Sequence, residues 1–172
     1  MVDAPAAPRQ RPVPVSPVSA DEVANVRVPT LEAFVLPPRV YHDQEVLDYE
    51  QDAWFAGGWV AIGREEDALV PGQYFLAPVA NENMIIVRGN DGELRAFYNV
   101  CRHRGARMLD EPTGTLPRIQ CPYHAWVYDL EGSLKQPRHT ELLVDFDPAE
   151  WGLVPARVEA WQGIVFIDLS GE

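Results

Sequence analysis

The sequence predicts a mainly β domain, an antiparallel sandwich or small barrel with one helix in front of it. Three hairpin signals carry this prediction, each a pair of apolar runs joined by turn residues, around residues 90–92, 131–132 and 162–163. Short strands at this spacing are typical of antiparallel architectures. With 172 residues, of which 47% are hydrophobic, the chain is long enough for one core.

The N-terminal segment differs in composition from the rest of the chain. Residues 1–38 hold eight of the sixteen prolines and show no hydrophobic periodicity. We therefore expect a Pro-rich arm that is extended or disordered and becomes ordered only where it touches a partner. The globular domain should begin near residue 39.

A helix is predicted over residues 42–58. Asp43 is a good N-cap, apolar residues follow at helical spacing, and Gly57 or Gly58 would end the helix. The aromatic residues of this helix are expected to lie in the core: Tyr49, Trp54 and Phe55.

From residue 59 onward the pattern favours β-strands. Short runs rich in Val, Ile and aromatic residues are separated by polar or Gly-containing segments. Those before the first hairpin turn are WVAIGR (59–64), QYFLAPV (73–79) and NMIIVR (83–88).

Composition also limits the partners. The formal net charge of −12 disfavours nucleic acid and anionic membrane surfaces. There is no apolar run long enough to span a membrane, and the first twenty residues lack the apolar stretch of a secretory signal. We expect a cytoplasmic, reducing location, which favours free thiols over disulfides.

The two cysteines and two of the four histidines form the pattern Cys101-x-His103-x17-Cys121-x2-His124. Each pair follows a predicted strand, so both pairs should lie on loops at one end of the β layer. Three interpretations fit these residue types: a structural disulfide, a tetrahedral zinc site, or a [2Fe–2S] cluster in which two histidines replace two cysteines on one iron.

The mixing of residue types within each loop separates the two metal interpretations. Zinc fingers usually pair Cys with Cys and His with His locally, whereas here each loop supplies one of each. A two-iron cluster suits this mixing, because each loop gives its Cys to one iron and its His to the other. Outside the pattern, His42 is expected to be exposed and His139 to lie in a loop.

The residues around the pattern resemble a known family. The segments "RGNDGELRAFYNVCRHRGA", "CPYHAWVYDLEGSL" and "WFAGGWVAIGREEDALVPGQYFLAPV" resemble the N-terminal Rieske domain of ring-hydroxylating oxygenase α subunits, over about residues 31–172. The respiratory Rieske type carries an additional disulfide, for which this chain has no further cysteine.

The resemblance implies a role for each ligand. Cys101 and Cys121 would bind one iron as thiolates, and His103 and His124 would bind the other. Two ferric ions, two sulfides and two thiolates sum to zero charge, so neutral imidazoles raise the reduction potential above that of a four-thiolate cluster. The neighbouring residues expected to support the cluster are Arg104 and Gly105 in the first loop and Tyr123 and Trp126 in the second.

Two details of these neighbours remain open. Tyr123 and Trp126 would shield the cluster from water or simply pack in the core, and Arg102 and Arg104 would face a reductase or only solvent. The family often has Gly directly after the second histidine, where this chain has Ala125, and this puts the local backbone angle in doubt.

The resemblance further implies an electron-input domain. It would receive electrons from a ferredoxin or flavin reductase and pass them through His124 to a mononuclear iron on a neighbouring subunit of an α-subunit oligomer, expected to be of the trimer type. The complete NAD(P)H- and O₂-dependent enzyme would act on an aromatic or small organic substrate. The sequence identifies no catalytic residues in this chain and does not specify the substrate.

The mononuclear iron site has no counterpart here. The family places it on two His and one carboxylate, yet only His124 and His139 follow Cys121. We therefore expect residues 1–38 to be the arm, 39–156 the Rieske domain with its helix, and 157–172 the start of a missing catalytic domain that would hold the Fe(II). Alone, the chain should not activate O₂. The alternatives are a stand-alone Rieske ferredoxin-like carrier and a structural zinc domain.

Overall fold

The computed structural model describes residues 14–140 and 142–171. One α-helix, α1 (Gln44–Glu50), precedes ten strands, all of them antiparallel to their neighbours. The strands are β1 (Trp59–Arg64), β2 (Gln73–Val79), β3 (Glu82–Arg88), β4 (Leu94–Tyr98), β5 (Thr113–Thr115), β6 (Ile119–Gln120), β7 (Val127–Tyr128), β8 (Leu134–Gln136), β9 (Pro155–Trp161) and β10 (Ile164–Asp168).

The strands form two sheets. Seven of them make a curled sheet in the order β1-β10-β9-β4-β3-β2-β5, and three make a small sheet in the order β6-β7-β8. The three predicted hairpins are β3–β4, β7–β8 and β9–β10, so the predicted antiparallel β class is confirmed.

Strand β3 is buried on both faces of the large sheet. Ile85 and Val87 pack in one core, while Met84 and Ile86 pack in a second. This alternation follows from the two-residue period of a strand. The first core lies against the small sheet and includes both cysteines, whereas the second is closed by β10. The continuous apolar run of β3 is therefore the sequence signature of a strand between two layers.

Strands β9 and β10 belong to the large sheet. The end of β4 pairs with the start of β9, and β10 pairs with both β9 and β1. Val165 and Ile167 of β10 are fully buried in the second core. The assignment of 157–172 to the start of a further domain stays a prediction.

Pro17 and Glu22 of the arm are joined to Arg39, a few residues before the helix. Arg39 donates to the Glu22 carboxylate at 2.7 Å and to the Pro17 carbonyl at 2.8 Å. These bonds tie Pro17 and Glu22 of the predicted arm to Arg39 of the same chain, while order on contact with a partner stays a prediction. Residues 1–13 of the predicted arm lie outside the described residues.

The helix begins at the predicted N-cap, but two of its aromatic side chains do not lie in the core as predicted. Asp43 caps α1 by accepting a hydrogen bond from the Glu45 backbone N–H at 3.0 Å. The prediction that Trp54 and Phe55 lie in the core is wrong, since they are 59% and 39% exposed. The reason is local: Gln51–Phe55 is a π-helix, so the 3.6-residue period behind the predicted stripe is broken there.

Candidate metal centre

Two loops of the same backbone design carry the four predicted ligands. In the first, the Cys101 N–H donates to the Ala106 carbonyl at 2.8 Å, and the Gly105 N–H donates to the Cys101 carbonyl at 2.9 Å. In the second, Cys121 donates to Trp126 at 2.9 Å, and Ala125 donates to Cys121 at 3.1 Å. Each loop therefore closes on its own cysteine through bonds to the fourth and fifth residues beyond it.

This closure needs a left-handed residue four positions after each cysteine. Gly105 has φ +69° and Ala125 has φ +53°. Glycine adopts this conformation freely, whereas alanine is strained in it. The backbone angle that the sequence left in doubt at Ala125 is thus the same as at Gly105, held there despite the Cβ.

The sheets fix where the loops start and return. The first loop follows β4, and the second joins β6 to β7. The buried side chain of Asn99 anchors the return of the first loop: its Oδ1 accepts from the backbone N–H groups of Met108 and Leu109, while its Nδ2 donates to Asn83. A buried amide with this many partners rigidifies the loop.

The loops bring like residues together. The ring centroids of His103 and His124 lie 4.8 Å apart, and the Nδ1 atoms of both rings are buried and have no hydrogen-bond partner. Cys101 and Cys121 are buried free thiols in the same core. Buried polar atoms without hydrogen-bond partners are rare in proteins. Two such nitrogen atoms on neighbouring rings therefore indicate a site that binds a metal or cofactor.

Burial shifts the pKa of two of the four predicted ligands, and the direction at His103 suits metal binding. Burial raises the pKa of the Cys101 thiol, and the neighbouring Cys121 thiol adds to this. Burial lowers the pKa of His103, with smaller contributions from His124 and Arg104. His103 is therefore held neutral, which is the form in which imidazole binds a metal.

Two aromatic residues predicted to support the cluster lie against the histidines. Trp126 is buried and stacks on His103, with centroids 4.7 Å apart and an interplanar angle of 7°. Its Nε1 donates to the Arg138 carbonyl at 3.0 Å. Tyr123 is 61% exposed, and its ring lies 3.8 Å from that of His124. Trp126 is thus a core residue, whereas Tyr123 lies at the surface between the His124 ring and solvent.

Sequence reasoning missed Tyr128. This residue of β7 is fully buried, and its hydroxyl lies 3.6 Å from Cys101 Sγ. Burial raises the pKa of Tyr128, and its hydroxyl remains protonated as a hydrogen-bond donor. A tyrosine in an otherwise apolar strand was the available signal, since a buried hydroxyl usually finds a partner.

Two arginines of the first loop and the two histidines outside the pattern occupy different positions. Arg102 donates to the Gly152 carbonyl at 3.0 Å, which makes it a tether to the chain before β9, while Arg104 is exposed. His42 is exposed, as predicted. His139 lies in a loop, as predicted, but its ring is 6.4 Å from that of His124 and its φ is +66°.

Two features are absent from residues 14–140 and 142–171. No group of three or more His, Cys, Asp and Glu side chains converges as around a single metal ion. No helix in the same residues has the length and apolar character to cross a membrane.

Comparisons with known proteins identify the family. Residues 58–147 match the family model of the Rieske [2Fe-2S] domain. The oxygenase subunit of carnitine monooxygenase from Escherichia coli K12 is 38% identical over 139 residues, which are 81% of this chain and 37% of that subunit. The α subunit of benzene 1,2-dioxygenase from Pseudomonas putida is 34% identical over 132 residues, covering 76% of this chain and 29% of its own length.

A solved structure agrees with these relatives. The quaternary ammonium Rieske monooxygenase CntA superposes with a TM-score of 0.79 at 37% sequence identity, covering 91% of this chain and 42% of CntA. The chain thus belongs to the Rieske [2Fe-2S] domain family, and its relatives are oxygenase α subunits. It spans about 37% of the length of the first curated relatives.

The cofactor of this family is one Rieske [2Fe–2S] cluster. The residues present fit such a group. Two buried thiols supply sulfur ligands, and two unpartnered buried Nδ1 atoms supply nitrogen ligands.

Proposed function

We propose that this chain is the electron-transfer domain of an oxygenase α subunit, with Cys101 and Cys121 binding one iron of the cluster and His103 and His124 the other. The observation that carries the proposal is that the fold brings the two histidines together, although 20 residues separate them in the sequence, and places the two cysteines in one core, although 19 residues separate them. The two rings lie 4.8 Å apart with both Nδ1 atoms unpartnered, beside two buried thiols. When bound, the cluster supplies reversible one-electron chemistry.

The chain's own residues set the conditions for that chemistry. Cys101 and Cys121 bind as thiolates and offset the positive charge of the iron, while the histidines bind neutral. Trp126 excludes water from the His103 side, and the Tyr128 hydroxyl donates toward Cys101 Sγ. The buried Asn99 keeps the first loop in one conformation, so little rearrangement accompanies a change in charge.

The partners follow from this role. We infer that a ferredoxin or a flavin reductase supplies the electron, and that a mononuclear non-haem iron of a neighbouring subunit in an α-subunit oligomer receives it through His124. Support comes from a solved quaternary ammonium Rieske monooxygenase, 37% identical to this chain, whose structure reveals insights into inter-subunit electron transfer. In this chain, the His124 ring lies 3.8 Å from the ring of the exposed Tyr123 and 6.4 Å from that of His139.

For the whole protein we propose an NAD(P)H- and O₂-dependent monooxygenase of a quaternary ammonium compound. The first seven curated relatives are monooxygenases of carnitine, glycine betaine or choline. The TM-score is also higher for CntA, at 0.79, than for a naphthalene dioxygenase, at 0.70. Oxygen uptake by the complete system with each of these three compounds, compared with benzene, tests this: uptake only with benzene would contradict it.

The ligand assignment is tested by replacing each histidine in turn with cysteine. His103→Cys or His124→Cys should keep a cluster but lower its reduction potential by on the order of 100 mV, because a thiolate replaces a neutral ligand. His42→Cys is the matched control, since His42 is exposed at the start of the helix. An unchanged potential in both ligand variants would contradict the assignment, and a colourless protein containing zinc would favour a structural zinc domain.

A stand-alone carrier is the second candidate. A complete native protein that exchanges electrons but consumes no O₂ with any of the tested substrates would favour it.

A further inference from the structure

The turn of the β3–β4 hairpin holds a dipeptide with a chemistry of its own. Asp91 and Gly92 form the one Asp-Gly pair of the sequence, which contains no Asn-Gly pair. Hairpin turns favour this pair, because glycine accepts the positive φ, here +85° at Gly92. A glycine also leaves its backbone nitrogen unhindered. That nitrogen can therefore attack the carboxyl group of the preceding aspartate, which lies close to it in the same dipeptide.

This attack produces a five-membered succinimide ring and needs no oxidant or cofactor. A bond forms between the Gly92 nitrogen and Cγ of Asp91, the bond from Cγ to a protonated carboxyl oxygen breaks, and one water leaves. Water then reopens the ring. Addition at Cγ restores aspartate, whereas addition at the backbone carbonyl gives isoaspartate, in which the chain runs through Cγ. The reaction therefore requires a protonated carboxyl group and a nitrogen that can reach it.

The fold opposes protonation of the carboxyl group. Nη1 of Arg95 donates to Oδ1 of Asp91 at 2.7 Å, Nη2 donates to Oδ2 at 2.6 Å, and the Glu93 backbone N–H donates to Oδ1 at 3.0 Å. Such a two-pronged guanidinium contact favours the ionised carboxylate. The bond from Arg95 is the main reason that the pKa of Asp91 falls from 3.8 to about 2. Asp91, and more weakly Glu131 and Glu93, raise the pKa of Arg95, so the guanidinium stays charged.

The fold also holds the attacking nitrogen. The Gly92 N–H donates to the Gly89 carbonyl at 3.1 Å, and the Gly92 carbonyl accepts from Nη1 of Arg88 at 3.0 Å. The turn is fixed to the small sheet as well, because Oε1 of Glu131 accepts from the Asn90 backbone N–H at 2.9 Å. With bonds on both sides of the glycine, its nitrogen is not free to turn onto the neighbouring carboxyl group.

We propose that Asp91-Gly92 is a modification site, at which this chain isomerises to isoaspartate, and that the Arg95 contact and the bonded Gly92 N–H protect it while the fold is intact. The inference is independent of the proposed function. Isoaspartate lengthens the backbone of the turn by one methylene group. The modification therefore puts the Arg95 contact and the bond between Asn90 and Glu131 out of register.

The test is incubation of the folded, cluster-loaded protein at neutral pH and physiological temperature. Isoaspartate is measured with a protein isoaspartate methyltransferase and a labelled methyl donor, and is located by mass spectrometry of the digested protein. Arg95→Gln should form isoaspartate about tenfold faster, since each pKa unit changes the protonated fraction about tenfold and solvent screening of this partly exposed pair leaves about one unit. The matched control is Arg64→Gln, which breaks the exposed ion pair with Glu66 and should leave the rate unchanged.

Two further comparisons separate the fold from the chemistry. In urea, where the protecting contacts are lost, the unaltered chain should isomerise faster than in the native state and at the same rate as Arg95→Gln. Asp91→Glu should remove the signal at this position, because its longer side chain would have to close a six-membered ring, which forms far more slowly.

Three results would overturn the proposal. The first is an equal native rate for Arg95→Gln and Arg64→Gln, which would exclude Arg95 as the protecting residue. The second is an unaltered chain that isomerises as fast in the native state as in urea. This comparison needs no variant, so it decides the question of protection even where Arg95→Gln does not fold. The third is an isoaspartate signal that persists in full in Asp91→Glu, which would place the modification elsewhere.

Discussion

The contact between Tyr128 and Cys101 should control the reduction potential. The hydroxyl lies 3.6 Å from Cys101 Sγ in a fully buried environment, and the raised pKa of Tyr128 keeps the hydroxyl protonated. Reduction adds one negative charge to the site, so the hydrogen bond to the sulfur strengthens on reduction. Tyr128→Phe removes it without leaving a buried donor unpaired, and should therefore lower the potential.

The size of the shift follows from hydrogen-bond energies. A hydrogen bond contributes about 1 kcal/mol between neutral groups and about 2 kcal/mol to a charged group. The difference of about 1 kcal/mol favours the reduced state. For a one-electron couple, where about 59 mV corresponds to a tenfold change, this is about 40 mV.

Tyr74→Phe is the matched control for this measurement. Tyr74 is buried in the same core as Tyr128, but its hydroxyl has no contact with either cysteine among those described for the site. Protein-film voltammetry of both variants at neutral pH gives the comparison. A shift below about 10 mV for Tyr128→Phe, or an equal shift for Tyr74→Phe, would refute the reasoning, since the limit lies well under the hydrogen-bond estimate.

The remaining predictions concern the loops, the arm and metal loss. Ala125→Gly should raise the free energy of unfolding by about 1 kcal/mol, and Gly105→Ala should lower it by about as much, because only the non-glycine residue is strained in the left-handed conformation. Denaturant unfolding measures both changes. The same sign for both variants would contradict this. Arg39 lowers the pKa of Glu22 from 4.5 to about 2, so the arm's ion pair should be complete above pH 4.5 and lost as the pH falls toward 2. Protease cleavage of the arm would follow this loss, and Glu22→Gln should remove the pH dependence; a transition unchanged by that substitution would assign it to another group. Cys101→Ala should abolish the visible absorbance and the bound iron, and retention of both would exclude Cys101 as a ligand.

The hairpins were predictable because their signals are local. Turn residues at 90–92, 131–132 and 162–163 lie between apolar runs, and each turn joins the strands expected of it. Short strand β5 escaped prediction, because its three residues, Thr113–Thr115, are held only by pairing with β2. The exposed aromatics of the helix were mispredicted, because a π-helix cannot be recognised from an apolar stripe.

The candidate site shows the same division. Its four proposed ligands stand out by residue type and spacing, whereas their distances depend on how the two sheets pack. In the sequence Tyr128 has the pattern of an ordinary core residue, and only the structure places its hydroxyl beside Cys101. The position of His139 is likewise invisible in the sequence, because its approach to His124 depends on a loop that Trp126 anchors through the Arg138 carbonyl.

The most direct test of the central claim is pulsed EPR of the reduced protein labelled with ¹⁵N-histidine. The account predicts strong coupling to nitrogen from two histidines, with one coupling lost in His103→Cys and the other in His124→Cys. Coupling that survives both substitutions, or a reduced cluster with no coupled histidine nitrogen, would contradict the assignment of His103 and His124 to one iron.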